Sequence, residues 1–200
     1  MRLIMASKFS TMNRVLLPGW LSGVLLALCL ALLPGRAQAQ SASYNSNQRK
    51  ALILYNIAKY TDWPKEAFAD ENADFVVGIL GKDPFGKDID VIKGKTIKGR
   101  KLEVKYYSSV EEASGCHLLF ISKSETDNLA EILKKLQNSS ILTVAEVKGF
   151  IEQSGIINLV PDRKATGTET VDFEINQAAA EKANLKLNTQ LLRLAKRVKS

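Results

Sequence analysis

Three short, almost wholly apolar runs, spaced along the middle of the chain, most narrow what it can fold into: Phe75–Leu80, His117–Ser122 and Ile141–Val144. A strand that is apolar at nearly every position is buried on both faces, and such strands belong to parallel sheets covered by further layers on either side. Between the second and third runs, Thr126–Leu136 sets Leu129, Ile132, Leu133 and Leu136 on one side of a helix. The order strand, helix, strand, helix predicts parallel βαβ units with helices packed on both faces, an α/β domain.

The flanking segments extend this frame. Arg49–Tyr60 reads as a helix stopped by Trp63-Pro64, and Lys87–Ile92 as a short one before the turn-rich Gly94–Gly99. Leu102–Tyr107 alternates apolar and charged residues, as a half-exposed strand near a sheet edge does. A short helix is expected at Val147–Gln153. Ile156–Val160 and Val171–Ile175 read as a hairpin added to one edge and joined by the polar Pro161–Thr170. Leu187, Leu191, Leu194 and Val198 step by four, three and four, which predicts a long C-terminal helix with its lysines and arginines facing water.

The first 39 residues have the three parts of a cleavable export signal: basic Arg2, Lys8 and Arg14, an apolar run from Val15 to Leu33, and Ala37-Gln38-Ala39 at the cleavage point. Met12, just before the run, is an alternative start. Residues 40–48 are polar and read as a flexible leader, so the domain is expected over 49–200. Cleavage removes four basic residues and no acid, and the net charge of +7 drops to +3. That weakens any case for nucleic acid as a partner. Of the two cysteines, Cys29 leaves with the signal, and Cys116 remains as a free thiol with no mate for an internal disulfide.

Gly81-Lys-Asp-Pro-Phe-Gly-Lys87 has the spacing of a phosphate-binding loop after a strand, but its chemistry is wrong. Pro84 has no N–H to donate, Asp83 places a carboxylate where phosphates would sit, and Asp88 stands where a magnesium-holding hydroxyl is needed. The loop is read as a tight turn, and Asp83 and Phe85 mark the strand end where open α/β sheets form ligand pockets. His117 is the sole histidine, so neither a metal cluster nor a Ser-His-Asp set can be assembled around it. Cys116 and His117, as strand neighbours, point to opposite faces and cannot pair. The carboxylates Asp83, Asp88, Glu169 and Glu174 show no spacing that singles out a catalytic pair, so no enzyme activity, cofactor or metal is expected. Glu174, flanked by Phe173 and Ile175 on the other face, would need a Lys or Arg partner if its own face were covered.

Taken together, the segments Lys50–Pro64, Gly78–Gly86, Gly115–Ser122, Gly155–Asn158, Phe173–Asn176 and Leu191–Ala195, in this order, resemble the YfiR family of periplasmic proteins from Gram-negative bacteria. The resemblance spans about Lys50 to Val198. It implies a Rossmann-like three-layer fold, often dimeric, that regulates and does not catalyse. Its best-known family role is to bind the periplasmic part of an inner-membrane diguanylate cyclase and hold it inactive, restraining cyclic di-GMP and biofilm formation; sensor kinases are alternative partners. Family members can carry a disulfide from the Cys of the Gly-Cys-His motif, and here Cys116 lacks a partner for it. Exposed positions of the last hairpin and helix, Glu174 and Leu191, are the expected contacts of a homodimer with its membrane partner. The rival expectation is a periplasmic small-molecule binder with its pocket at Asp83 and Phe85.

Overall fold

The computed structural model describes residues 44–163 and 169–200. The export signal, residues 40–43 of the leader and the hairpin tip at 164–168 lie outside the described residues, as do the side chains of Arg163 and Glu169. Helix α1 (Ser46–Lys59) opens the fold. It begins three residues before the expected start, because Asn45 and Gln48 form a capping box: the Asn45 side chain accepts from the Gln48 N–H at 2.9 Å and the Gln48 side chain accepts from the Asn45 N–H at 3.2 Å. Ser46–Gln48 are therefore helical and not flexible leader.

The strands follow as β1 (Thr61–Asp62), β2 (Phe75–Leu80), β3 (Thr96–Ile97), β4 (Arg100–Tyr107), β5 (Leu118–Ile121), β6 (Leu142–Ala145), β7 (Ile157–Arg163), β8 (Glu169–Asn176), β9 (Lys186–Leu187) and β10 (Arg197–Lys199). Helix α2 (Leu129–Leu136) lies between β5 and β6, and α3 (Gln177–Lys182) and α4 (Thr189–Leu194) lie after β8. Eight strands form one sheet in the order β10-β8-β7-β6-β5-β2-β4-β3, while β1 and β9 pair antiparallel in a separate ribbon. Within the large sheet only the β7–β8 and β3–β4 pairs are antiparallel. This is the mixed α/β, mostly parallel sheet expected, with few helices: of the connections between parallel neighbours β2 to β7, only β5 to β6 carries an α-helix. The expected helix at 147–153 is a run of turns.

Side-chain alternation splits the core across the sheet. Val77 and Ile79 of β2, Leu118 and Phe120 of β5, and Leu142 and Val144 of β6 join α1, α3 and α4 in the larger cluster. Val76, Leu80, Leu119, Ile121 and Ala145 point the other way, into a second cluster with all four expected apolar positions of α2. Each such side chain, removed from water, contributes about 1.5–3 kcal/mol. Gly78 of β2 belongs to a strand buried along its whole length because a Cβ there would stand 2.7 Å from the Tyr107 ring and 2.9 Å from Leu119.

The long C-terminal helix does not form. Leu187 lies in β9, Leu191 in the six-residue α4, and Val198 in β10, which runs parallel to β8. Two local devices break the helix. Asn184, in the left-handed region at φ 56°, ends the turn after α3, and Asn188 begins α4 anew by accepting from the Gln190 N–H at 2.8 Å. Beyond Leu194 the chain gains more by pairing with β8, whose edge would otherwise be open; the Lys196 N–H donates to the Phe173 carbonyl at 2.8 Å. The supposed apolar stripe is accordingly split, with Leu191 buried and Leu194 exposed. The hairpin is as expected, but β10, not the hairpin, makes that edge of the sheet.

Candidate functional site

Pairing in register builds a row of polar side chains across the last three strands. Asn158 of β7 lies opposite Glu174 of β8, which lies opposite Arg197 of β10. Since Leu159, Phe173 and Ile175 point into the larger cluster, alternation turns Asn158 and Glu174 to the other face. There the Arg197 Nε donates to Glu174 Oε1 at 3.1 Å and its Nη2 to Glu152 Oε1 at 2.6 Å. Asn158 donates to Glu174 Oε2 at 3.4 Å and accepts from the Val147 N–H at 3.0 Å. The Glu174 side chain, 20% exposed, is not covered by a terminal helix, and its basic partner Arg197 comes from the neighbouring strand.

The row opens into a cleft of about 590 Å³ at the carboxyl ends of β5 and β6, lined by Lys123, Glu146, Lys148, Glu152, Glu174 and Arg197, with Val160 and Pro161 on one wall. Glu146, just past β6, accepts from Lys123 at 2.7 Å and from Lys50 of α1 at 2.5 Å. Burial alone would raise the Glu146 carboxyl, but hydrogen bonds from Lys123 and Lys50 bring it below the ordinary carboxylate range. The hydrogen bond from Arg197 likewise lowers the Glu152 carboxyl. Paired with neighbouring bases, the Glu146 and Glu152 carboxylates suit charged recognition of a surface. Among the described residues no group of three or more His, Cys, Asp or Glu is placed to hold a metal ion.

The other expected site residues lie elsewhere. Asp83 makes a tight turn, its two carboxylate oxygens accepting from the Phe85 N–H at 2.8 Å and the Gly86 N–H at 3.0 Å, while the Lys82 N–H donates to Ser124 Oγ at 2.9 Å. The amides that a phosphate would need are thus already occupied. Phe85 is buried against Phe120, ring centroids 4.9 Å apart. Leu191 is buried at 2% exposure in the larger cluster and cannot be the exposed anchor of an interface. Cys116 is free and buried in the smaller cluster, its thiol pushed up to about 12 by burial.

His117, on the opposite face from Cys116, is stacked between Phe68 and Phe75 with centroids 4.4 and 5.0 Å away. Its Nδ1 accepts from the Val76 N–H at 3.0 Å, which leaves Nε2 protonated to donate to the Ala67 carbonyl at 3.1 Å. Burial holds its pKa below the ordinary histidine value, the Ala67 bond acting against that and the charge of Arg100 with it. This fixes the loop after α1 onto the sheet and makes His117 structural.

Sequence reading missed Glu146, Lys123, Glu152 and Arg197. Glu146 and Lys123 carried a usable signal, since both closely follow buried parallel strands at their carboxyl ends, where such sheets form sites. Glu152 and Arg197 had none: their meeting depends on β10 being a strand.

The described residues thus form a mostly parallel α/β domain that carries a self-paired ionic cleft. The chain belongs to the YfiR/HmsC-like family, which matches residues 47–196. No curated protein matches it. Among solved structures, it is similar to a conserved domain protein of Vibrio cholerae O1 biovar El Tor, at 13% identity and a TM-score of 0.49 over 77% of this chain and 60% of that one. It is also similar to an ABC domain from Streptococcus pneumoniae solved in complex with L-Trp, at 14% identity and a TM-score of 0.41 over 62% of this chain and 55% of that one. The chain thus spans little more than half the length of either solved chain.

Proposed function

We propose that this protein is a periplasmic regulator, exported by the signal ending near Ala39, that binds the periplasmic domain of an inner-membrane signalling protein and holds it inactive. The most specific form of this reading makes the partner a diguanylate cyclase, so that the protein restrains cyclic di-GMP production, and makes the working species a homodimer. Membership of the YfiR/HmsC-like family supports it. The observation that carries it to residues is the Asn158–Glu174–Arg197 row beside Glu146, a fixed array of both charge signs lining a cleft on one sheet face. A domain confined to one side of a membrane can alter chemistry on the other only by binding one state of a spanning partner better than another. The rival small-molecule reading draws less support, since Phe85 is buried against Phe120 and Asp83 is engaged with backbone amides.

The test is affinity capture from detergent-solubilised membranes of the source bacterium, comparing the wild-type protein with Arg197→Glu. Recovery of a cyclase or sensor kinase by wild type, reduced at least about tenfold by the charge reversal, supports both partner and face. Equal recovery by both proteins rejects the face, and recovery of no signalling protein by wild type rejects the regulator reading.

A further inference from the structure

Further along the strands that carry the charged row, α2 and α3 border a second groove, of about 530 Å³, within the range of small-ligand sites. Its floor is apolar, formed by Leu133 and Leu136 of α2, Ile141, Ile156, and Ala179 and Ala183. The two polar side chains of the floor are already engaged. Thr143 Oγ1 accepts from the Ile156 N–H at 3.0 Å, and Asn176 donates to the Ile151 carbonyl at 2.8 Å and accepts from the Ala179 N–H at 2.9 Å. The groove is rimmed by Lys134, Lys182 and Lys199, and no acidic residue lines it.

Like several other surface lysines, the three rim lysines form no ion pair among the described residues; what distinguishes them is that they converge on one apolar groove without an acidic residue in its lining. Lys199 Nζ is held at the rim by the Ile151 carbonyl, 3.3 Å away. We propose that this groove binds a single-chain carboxylate amphiphile, a medium-chain fatty acid anion, its tail along the alanine and leucine floor and its head among the lysines. Ammonium groups around an apolar floor complement a molecule with one anionic end, and a neutral or cationic head would leave the rim charge unmet. Asn176 and Lys199 are register partners two residues along from Glu174 and Arg197, so the groove and the charged row share strands β8 and β10.

The site is tested by isothermal titration of the purified protein with decanoate and with decyltrimethylammonium, which has a similar tail and the opposite charge. Decanoate should bind at least about tenfold more tightly, and Lys134→Glu with Lys182→Glu should abolish that preference. Ala130→Leu, at an exposed position on the groove wall, should weaken decanoate without a change of charge and guards against a variant that misfolds. Equal affinity for the two head groups, no measurable decanoate binding, or an unchanged preference in the double lysine variant overturns the proposal. The measurement needs no membrane partner, so its failure leaves the regulator reading standing.

Discussion

Replacing His117 should expose how the first loop is fastened to the sheet. In His117→Leu the Val76 N–H loses its acceptor at a buried position, which costs about 1–3 kcal/mol, and the stack with Phe68 and Phe75 is lost, worth about 0.5–1.5 kcal/mol more. The expected loss is about 2–4 kcal/mol, a large part of the stability of a domain this size. His117→Asn can keep an acceptor near the Nδ1 position and should recover part of it. His117→Gln, which reaches toward the Nε2 position, should recover less.

A pH signature accompanies the loss. The folded pKa of His117 is depressed, so below the unfolded value of about 6.5 the unfolded chain takes up a proton that the folded chain refuses. Its contribution is complete above about pH 6.5 and declines as pH falls toward the folded pKa. Because the chain has one histidine, urea melts at pH 7.5 and 5.5 should show this slope in wild type and its absence in both His117→Leu and His117→Asn. A Leu variant that loses under about 1 kcal/mol, or retains the full pH slope, would refute the argument.

Gly155→Ala should destabilise by more than about 2 kcal/mol in thermal melts, because the new Cβ would lie 2.3 Å from the Phe150 ring, which is fully buried and has nowhere to move. Glu146→Gln should cost about 1–2 kcal/mol by leaving Lys50 without its carboxylate. It should also flatten the stability loss of wild type below about pH 4.5, since a carboxyl with a depressed folded pKa stabilises above its unfolded value and ceases to as pH falls through the folded one. Cys116 should react with a thiol reagent only through opened forms of the domain, so its rate should rise steeply with urea; fast labelling of the native protein would show the thiol to be accessible.

The central sheet was legible because burial on both faces leaves an unbroken apolar run, and β2, β5 and β6 each carried one. The side of α2 that faces the core was legible for a similar reason, its four apolar positions being the four that are buried. The C-terminal segment misled because apolar spacing records neither capping nor an open strand edge far away in sequence. Leu187, Leu191, Leu194 and Val198 fit a helical period, yet Asn188 restarts the chain and β8 captures its last residues. The early start of α1 could have been read, since Asn45 and Gln48 have the capping-box spacing. Of the cleft, Glu174 was singled out, with a Lys or Arg partner expected only if its face were covered, and that Arg197 would pair with it depended on a strand that no local pattern announces.

The three residues of β10 are all exposed and form the outermost strand beside β8. An uncovered strand edge offers its amides and carbonyls to any passing chain, and proteins blunt that hazard with short edges carrying cationic side chains. With Arg197 drawn back onto Glu152 and Glu174 and Lys199 beside it, so brief a strand leaves few free backbone groups onto which another sheet could extend.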